Sequence, residues 1–264
     1  MLLEALRSTW LVAALVGLGA LELLVPRRVP THGRGLRWPT NLTLGTFNIL
    51  LTTVALAPVG AAAAAEHFRW GLLHHVSVPG VLAIAIAVVA LDVVSYLQHR
   101  VLHRTAWLWR VHRVHHADVD LDTTTALRFH PIEALIGQVT FGTGIVVLGL
   151  PPEGVVLYFW LSAVDTIVSH TNIRLPARIE RAAQWLFVTP ALHAIHHSAV
   201  LDESNRNFAS IFSVWDRLGG SYLAQPQPVR TGLEEFRQPR YLTLPWTLAL
   251  PFCTAPPPER SPAP

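Results

Sequence analysis

Long apolar stretches separated by short polar segments dominate the chain. Residues 9–25, 41–65 and 80–97 are almost entirely apolar, and each stretch approaches the roughly 20 residues with which a helix crosses a bilayer. Two shorter apolar stretches, 134–150 and 155–169, are separated by a Pro-Pro-Glu-Gly turn sequence. The pattern predicts three transmembrane helices followed by a helical hairpin that enters the membrane and returns.

The composition is that of a membrane protein. Hydrophobic residues make up 51% of the 264 residues and charged residues only 14%, whereas charged residues are about a quarter of a soluble domain. The formal net charge of +3 is small and no basic stripe carries interleaved aromatic residues, so we expect no nucleic-acid partner. The single cysteine, Cys253, excludes an internal disulfide and a cysteine-based metal site. The expected fold is an all-α integral membrane helical bundle.

The positive side chains, which are all arginines, are unevenly distributed along the chain. They are dense after the first apolar stretch, after the third and after the hairpin, and sparse between the second and third stretches. The positive-inside rule places the three arginine-rich segments in the cytoplasm. The absence of lysine is typical of a GC-rich bacterial genome. We therefore expect a bacterial inner-membrane protein with a histidine-rich cap on the cytoplasmic side.

Eight of the 14 histidines lie in three short groups. The groups are His99 with His103, His112 with His115 and His116, and His193 with His196 and His197. Residues three and four apart share a helix face, so each group is expected to direct its imidazoles at one point. Neutral imidazole is a common ligand of Zn, Fe, Cu and Ni. Eight ligands exceed the four of a usual zinc site, so the pattern predicts two metal ions, and we expect redox iron.

The order of these groups resembles a known enzyme family. HRVLH, HRVHH, FHPIE, SHTN and HAIHH follow one another, and NRNFASIFSVWDRLGG comes after the last group. From about residue 92 to about residue 220 the chain is similar to the fatty acid hydroxylase and sterol desaturase superfamily. The resemblance implies an integral membrane enzyme with two iron ions that uses O2 and two electrons to hydroxylate or desaturate a lipid.

The resemblance also implies a set of iron ligands. It carries over the eight grouped histidines and adds His170 of SHTN. Several relatives have another ligand four residues from this position, where the chain has Thr166 and Arg174, so His130, Asn172 or water is left to fill one coordination position. The Asn-Arg-Asn-Phe, Trp-Asp-Arg and Gly-Gly sequences after the last group are expected to be structural.

The expected partners are a lipid and a separate electron donor. A lipid tail would enter from the bilayer. No GxGxxG sequence follows a strand, so electrons are expected from a ferredoxin or from a b-type cytochrome with its reductase. Carboxylates are expected to orient the histidine rings, and the candidates are Asp92, Glu133, Asp120, Asp122 and Asp202.

Three regions are predicted along the chain. Transmembrane helices occupy residues 1–98, and a histidine-rich catalytic region, with the membrane hairpin at about 134–169, occupies residues 99–250. Residues 251–264 form a proline-rich tail that is expected to be disordered.

Simpler interpretations stand beside these. The grouped histidines would also suit a histidine-rich amphipathic surface, and His130, which precedes a proline, is as well suited to beginning a helix as to binding metal. His74 and His75 are expected in a loop on the far side of the membrane. Trp107 and Trp109 are expected to be interfacial anchors.

A second functional class is a non-catalytic metal- or haem-binding membrane protein, or a transporter. A transporter would place ionisable residues near the midplane of several spans, whereas these histidines lie at helix ends on one side. A haem protein would need paired histidines in opposing helices.

Overall fold

The computed structural model describes residues 2–55, 57–224 and 229–254, and within these ranges the protein is helical, with no β-strand. This confirms the predicted all-α fold. Short 3₁₀ helices lie at Leu72–His75, Thr123–Leu127, Glu234–Phe236, Pro239–Leu242 and Leu250–Phe252. The α-helices are α1 (Leu2–Leu24), α2 (Arg34–Ala55), α3 (Ala57–Phe68), α4 (Gly80–Arg104), α5 (Ala106–His116), α6 (Pro131–Leu148), α7 (Pro152–Ser169), α8 (Ala177–Ala183), α9 (Pro190–His196), α10 (Leu201–Ser204), α11 (Val214–Leu218) and α12 (Leu244–Ala249).

Three helical segments of the described chain are long and apolar enough to cross a membrane. They are Arg34–His75, Gly80–Arg104 and Pro131–Leu148. The first of these contains the predicted span 41–65, but it begins earlier because α2 starts at Arg34. The predicted first span lies in α1, a helix of 23 residues.

The predicted membrane hairpin is formed by α6 and α7. Gly149 ends α6 with a φ of 66°, a left-handed conformation that costs glycine little because it has no Cβ. Proline then occupies the first turn of α7, where its missing N–H would have had no helical partner. The turn chemistry at residues 149–152 therefore reverses the chain, as the Pro-Pro sequence indicated.

The apolar core lies where α4 crosses α7. Ala87 and Leu91 of α4 and Val155 and Tyr158 of α7 are buried together there. A Cβ added to Gly154 would lie only 2.6 Å from the Cβ of Ala87, so glycine is what allows the two helices to approach this closely.

The outer surface of the bundle is strongly apolar. Val81 of α4 is 83% exposed and Val139 of α6 is 70% exposed, and further large apolar side chains surround them. Exposed apolar surface on this scale is typical of contact with lipid. The protein is therefore an integral membrane protein.

The N-terminal helices are attached to the histidine-bearing region by buried polar contacts. Oε1 of Glu22, in α1, accepts hydrogen bonds from the backbone N–H groups of Thr123 (2.8 Å) and Asn172 (2.7 Å). Arg37, in α2, pairs with Asp118 at 2.5 Å. The predicted regions 1–98 and 99–250 are therefore joined by contacts that neither region could make alone.

The ordered chain also extends into the predicted proline-rich tail. Pro251 is buried, and the side chain of Arg110 donates a hydrogen bond to its carbonyl oxygen at 2.7 Å. Arg113 likewise donates to the carbonyl oxygen of Cys253 at 2.6 Å. Described structure thus continues to Thr254, and residues 255–264 of the predicted tail lie outside the described residues.

Candidate metal centre

Nine histidines gather into two compact clusters, and all nine belong to the set singled out from the sequence. Within each cluster the candidate ligand atoms lie within 4.8 Å of one another. We call the group of five the first cluster and the group of four the second cluster. The first cluster is His99, His103, His112, His116 and His196, and the second cluster is His115, His170, His193 and His197.

The two HxxHH sequences do not each point at one site, contrary to the sequence-based expectation. On α5, His112 and His116 belong to the first cluster, whereas His115 belongs to the second. Near α9 the division is reversed, with one histidine in the first cluster and two in the second. The physical reason is that consecutive helical residues are about 100° apart, so positions i+3 and i+4 lie on opposite sides of position i. Each HxxHH sequence therefore supplies both clusters.

Backbone carbonyl groups fix the orientation of several rings. Nδ1 of His99 donates to the carbonyl oxygen of Phe208 at 2.8 Å, and Nδ1 of His196 donates to that of Arg206 at 2.8 Å. In the second cluster, Nδ1 of His170 donates to a carbonyl oxygen one turn earlier in α7 at 2.7 Å. With Nδ1 protonated, Nε2 of each ring carries the free lone pair that a metal needs.

The spacing of the Nε2 atoms tests whether metal fits these clusters. Nε2 atoms of His99 and His112 are 3.0 Å apart, and those of His115 and His170 are 3.1 Å apart. In all four rings Nδ1 faces an acceptor, so both Nε2 atoms of each pair are acceptors and repel each other. About 3 Å separates two ligands bound at right angles to a metal ion about 2.1 Å from each. The donor sets therefore fit one metal ion in each cluster.

Other ring nitrogens are buried without any hydrogen-bond partner. Nε2 of His103 and Nε2 of His196 are two such atoms in the first cluster. Buried polar atoms are nearly always hydrogen-bonded, and one without a partner calls for an explanation. A metal ion in the first cluster would satisfy both atoms.

Several histidines of the two clusters have a lowered pKa, which holds them in the neutral form that binds metal. Burial is the main cause, and it lowers the pKa of His196 to about 3 and that of His170 to about 4. Burial and the neighbouring imidazoles also lower the pKa of His115, His193 and His197 well below the usual value. Because these rings stay neutral at physiological pH, no proton has to leave them before metal binds.

Of the five candidate carboxylates, Glu133 contacts a histidine of the first cluster. Its Oε1 accepts a hydrogen bond from Nδ1 of His112 at 2.7 Å, and both side chains are buried. Glu133 lies in the first turn of α6, which packs beside α5. The other candidates hold backbone or arginine groups elsewhere or are exposed: Asp92, Asp120, Asp122 and Asp202.

Two carboxylates hold the loop between α10 and α11, which was expected to be structural. Asp92 accepts hydrogen bonds from the backbone N–H groups of Ile211 (3.1 Å) and Phe212 (3.0 Å). Asp216, of the Trp-Asp-Arg sequence, accepts one from the N–H of Phe208 at 2.8 Å. This places the Phe208 carbonyl against a histidine of the first cluster, so the loop has a positioning function that the sequence did not reveal.

Aromatic side chains cover both clusters. Phe129 stacks on His115 with ring centroids 4.3 Å apart, and Trp109 lies 4.9 Å from His103. Trp109 is therefore not the interfacial anchor expected from the sequence, because its position on α5 turns it toward the histidines. Trp107, which is 62% exposed, remains free for that role.

The two other residues considered for the open coordination position lie outside the clusters. His130 caps α6, where its Nδ1 accepts a hydrogen bond from the backbone N–H of Ile132 at 3.1 Å. The side chain of Asn172 instead exchanges hydrogen bonds with the backbone of Arg28. The structure thus gives His130 the helix N-terminal role rather than a ligand position. His74 and His75 lie in the 3₁₀ helix before α4, away from both clusters.

Sequence comparison agrees with the geometry. A family model described as fatty acid hydroxylase matches residues 84–221, which span more than half of the chain and include every histidine of the two clusters. The chain belongs to the fatty acid hydroxylase family.

Relatives of this fatty acid hydroxylase family member include several lipid-modifying enzymes. The ornithine lipid hydroxylase OlsE of Rhizobium tropici is 30% identical over 207 residues, which cover 74% of this chain and 58% of the relative. The very-long-chain aldehyde decarbonylase GL1-9 of Oryza sativa subsp. indica is 31% identical over 142 residues, covering 52% and 53%. Sphinganine C4-monooxygenase 1 of Arabidopsis thaliana is 30% identical over 141 residues, covering 52% of each chain. The chain spans about half the length of the curated relatives it matches. No solved structure matches it.

In this member of the fatty acid hydroxylase family, a cavity of about 220 Å³ reaches the histidines of both clusters. It lies between α4, α6 and α7, where Phe129, Phe141 and Phe159 supply apolar wall. Besides the histidines, the polar part of the wall consists of Ser95, Gln98, Glu133, Ser162, Asp165, Thr166, Ser169 and Ser210. A ligand in this cavity would contact both clusters from the side of the membrane helices.

Proposed function

We propose that the protein is a membrane-bound di-iron oxygenase that uses O2 and two electrons to hydroxylate a lipid. The observation that carries the proposal is the pairing of two histidine clusters with a single cavity that reaches both. The relatives named above as lipid hydroxylase and monooxygenase support the same reaction class. Histidine ligands are suited to iron.

The clusters divide the binding of two iron ions between them. The five histidines of the first cluster would hold one ion and the four of the second cluster the other, so the second ion has more room for exogenous ligands. When bound, the iron pair supplies the redox chemistry that activates O2 and cleaves an unactivated C–H bond. One oxygen atom of O2 is inserted into the C–H bond. The other is reduced to water, which consumes two electrons and two protons.

The remaining tasks fall to the protein itself. Carbonyl groups of the α10–α11 loop and Glu133 keep the first-cluster rings in one tautomer and one orientation. Phe129 and Trp109 cover the imidazoles and keep bulk water away from them. Phe141 and Phe159 give the cavity an apolar wall against which a lipid chain can lie. The protein thus contributes ring orientation, water exclusion and substrate placement.

Electrons would come from a separate protein, a ferredoxin or a b-type cytochrome with its reductase. An open depression of about 470 Å³ lies on the histidine side of the bundle and is lined by Arg100, Arg104 and Arg206. Phe208, which packs edge-on against His99, also lines it. An acidic donor would meet complementary charge at this position. The arginine distribution supports placing this face in the cytoplasm of a bacterium, at the inner membrane.

The alternative, a haem-binding protein or a transporter, is not favoured. Four or five histidine nitrogens surround each candidate site, so imidazoles occupy the positions around the metal that a haem macrocycle would need. The clustered histidines also lie on short helices and at the ends of longer ones, whereas a transport path needs ionisable groups near the membrane midplane. Within the oxygenase class, desaturation is the second candidate reaction because it begins with the same hydrogen abstraction.

The decisive experiment measures metal and product together. Detergent-purified protein should contain about two irons per chain, and it should consume O2 in the presence of a reductant and a bacterial lipid extract. Mass spectrometry should then detect a lipid heavier by one oxygen atom, whereas loss of two hydrogens would identify desaturation. The double variant His112→Ala/His193→Ala should contain no iron. Two results would contradict the proposal. One is wild-type protein that contains no iron, and the other is wild-type protein that holds one tightly bound zinc ion and consumes no O2.

A further inference from the structure

The cavity beside the clusters contains a carboxyl group that the protein leaves without a partner. Asp165, in α7, lines this cavity. In the described part of the chain no residue donates a hydrogen bond to it, and its electrostatic neighbour is a second acid, Asp92. No arginine lines the cavity. The carboxyl group therefore lies at the cavity with no hydrogen bond donated to it and no arginine beside it.

Asp165 is an exception among the carboxylates enclosed by this fold. Glu22, Asp92 and Asp216 each accept hydrogen bonds from two backbone N–H groups. Asp118 is paired with Arg37. Where a carboxylate has a structural role, the fold thus supplies its donors. An ionisable group of a membrane helix that has no such partner indicates a substrate pathway.

Further polar groups face the same cavity from two packed helices. Ser162 lies three residues before Asp165 on α7, and Ser95 lies three residues before Gln98 on α4. Residues three apart share a helix face, so two polar pairs oppose each other where α4 packs on α7. Oε1 of Gln98 is also buried without a hydrogen-bond partner. Among the cavity residues on α4 and α7, the Asp165 carboxyl and the Gln98 carbonyl are therefore unused acceptors, and the free Oε2 of Glu133 on α6 is a further one beside His112.

We propose that Asp165 and Gln98 form a subsite that binds a hydrogen-bond-donating group, an ammonium or a hydroxyl, of the lipid substrate. The identity of the ligand as a substrate rests on the proposed function, whereas the subsite itself rests on the cavity. Asp165 precedes His170 by five residues, a distance of about 7.5 Å along a helix. The donor group would thus be held only a few carbon atoms from the oxidised position. The substrate class is an amine- or hydroxyl-bearing lipid, and not a plain hydrocarbon chain.

The test measures binding directly and needs no turnover. Decylamine, decanol and decyl methyl ether have the same alkyl chain, but the ether has no hydrogen to donate. Each is titrated into the purified full-length protein in detergent, and the shift of the thermal unfolding midpoint gives an apparent affinity. The amine or the alcohol should bind at least tenfold more tightly than the ether. Equal affinity for all three would overturn the subsite.

Variants then assign the effect to Asp165. Asp165→Leu should remove the preference over the ether, and Asp202→Leu, an exposed acid outside this cavity, should retain it. Asp165→Asn keeps an acceptor without the charge and is the second variant if the leucine variant does not fold. It should keep the alcohol preference and lose the amine preference if the natural donor is an ammonium. A donor preference that persists in Asp165→Leu, or an amine preference that persists unchanged in Asp165→Asn, would refute the proposal. Donor-selective binding in a protein that never consumes O2 would instead refute the proposed function and leave the subsite standing.

Discussion

Nδ1 of His112 donates a hydrogen bond of 2.7 Å to Oε1 of Glu133, and this bond joins α5 to the first turn of α6. The other oxygen of this carboxylate has no hydrogen-bond partner. The bond directs Nε2 of His112 into the first cluster, where it lies 3.0 Å from Nε2 of His99. A carboxylate in this position also raises the basicity of the ligand.

Loss of the Glu133 carboxylate should weaken metal binding in the first cluster. Glu133→Leu should lower metal affinity by about 10–100-fold, the usual effect of removing such a partner. Glu133→Gln should lower it less, because the amide oxygen still accepts the Nδ1 hydrogen bond. Metal retention against a chelator measures both effects. Glu153→Gln, at the exposed N-terminus of α7, is the matched control. Unchanged retention in Glu133→Leu would show that the bond does not support metal binding.

The two clusters should lose metal independently. His112→Ala removes a ligand of the first cluster and His193→Ala one of the second. Each single variant should therefore retain about one metal ion per chain where the wild type has two, as measured by elemental analysis. His75→Ala, on an exposed 3₁₀ helix, should retain both ions, and so should His130→Ala because His130 lies outside the clusters. Complete loss from either single cluster variant would mean that the two sites bind as one unit.

The sequence predicted which histidines form this site, but not how they divide between the two clusters. Spacing alone singled out eight of the nine histidines that cluster, and the family resemblance added His170. It did not predict the split of His115 from His116, since that depends on which neighbouring helix faces each side of α5. Nor could it single out Glu133, which is 21 residues from His112 and reaches it through the packing of α6 beside α5.

Arg37 shows a similar limit for the fold. In the sequence it was one of several arginines that orient the chain across the membrane. The structure buries it completely and surrounds it with acceptors from a segment some 80 residues later, which include Asp118 and Asp122. A charge pattern reports the side of the membrane, but it cannot report the partner, because the partner is set by tertiary packing.

The metal-free protein should lose stability as pH falls below about 6.5. The pKa of His196 is lowered to about 3 and that of His170 to about 4, whereas an unfolded histidine titrates near 6.5. Between these values the unfolded chain binds protons that the folded chain does not, so stability is complete above pH 6.5 and decreases as pH falls. Each such histidine contributes up to about 1.4 kcal/mol per pH unit.

Thermal unfolding at pH 7.5 and at pH 5.5 measures this effect, and the midpoint should be lower at pH 5.5. His170→Asn should reduce the pH dependence, because one proton fewer is taken up on unfolding. His75→Asn, whose side chain is exposed, should leave it unchanged. A midpoint that does not change between the two pH values would contradict the assignment of buried, neutral histidines.

Breaking the Arg37–Asp118 pair should destabilise the attachment of α2 to the segment that follows α5. Arg37 pairs with Asp118 at 2.5 Å and with Asp122 at 2.7 Å, and it holds the pKa of the Asp118 carboxyl well below its usual value. Arg37→Leu leaves Asp118 buried without its cation, which should cost about 3–5 kcal/mol. The thermal midpoint should fall, and metal should be lost at a lower temperature.

Arg178→Leu, at an exposed position of α8, is the control. The double variant Arg37→Leu/Asp118→Leu should recover part of the loss, because no buried charge is then left alone at position 118. If Arg37→Leu unfolded at the same temperature as Arg178→Leu, the attachment of α2 to the segment after α5 would contribute nothing to stability.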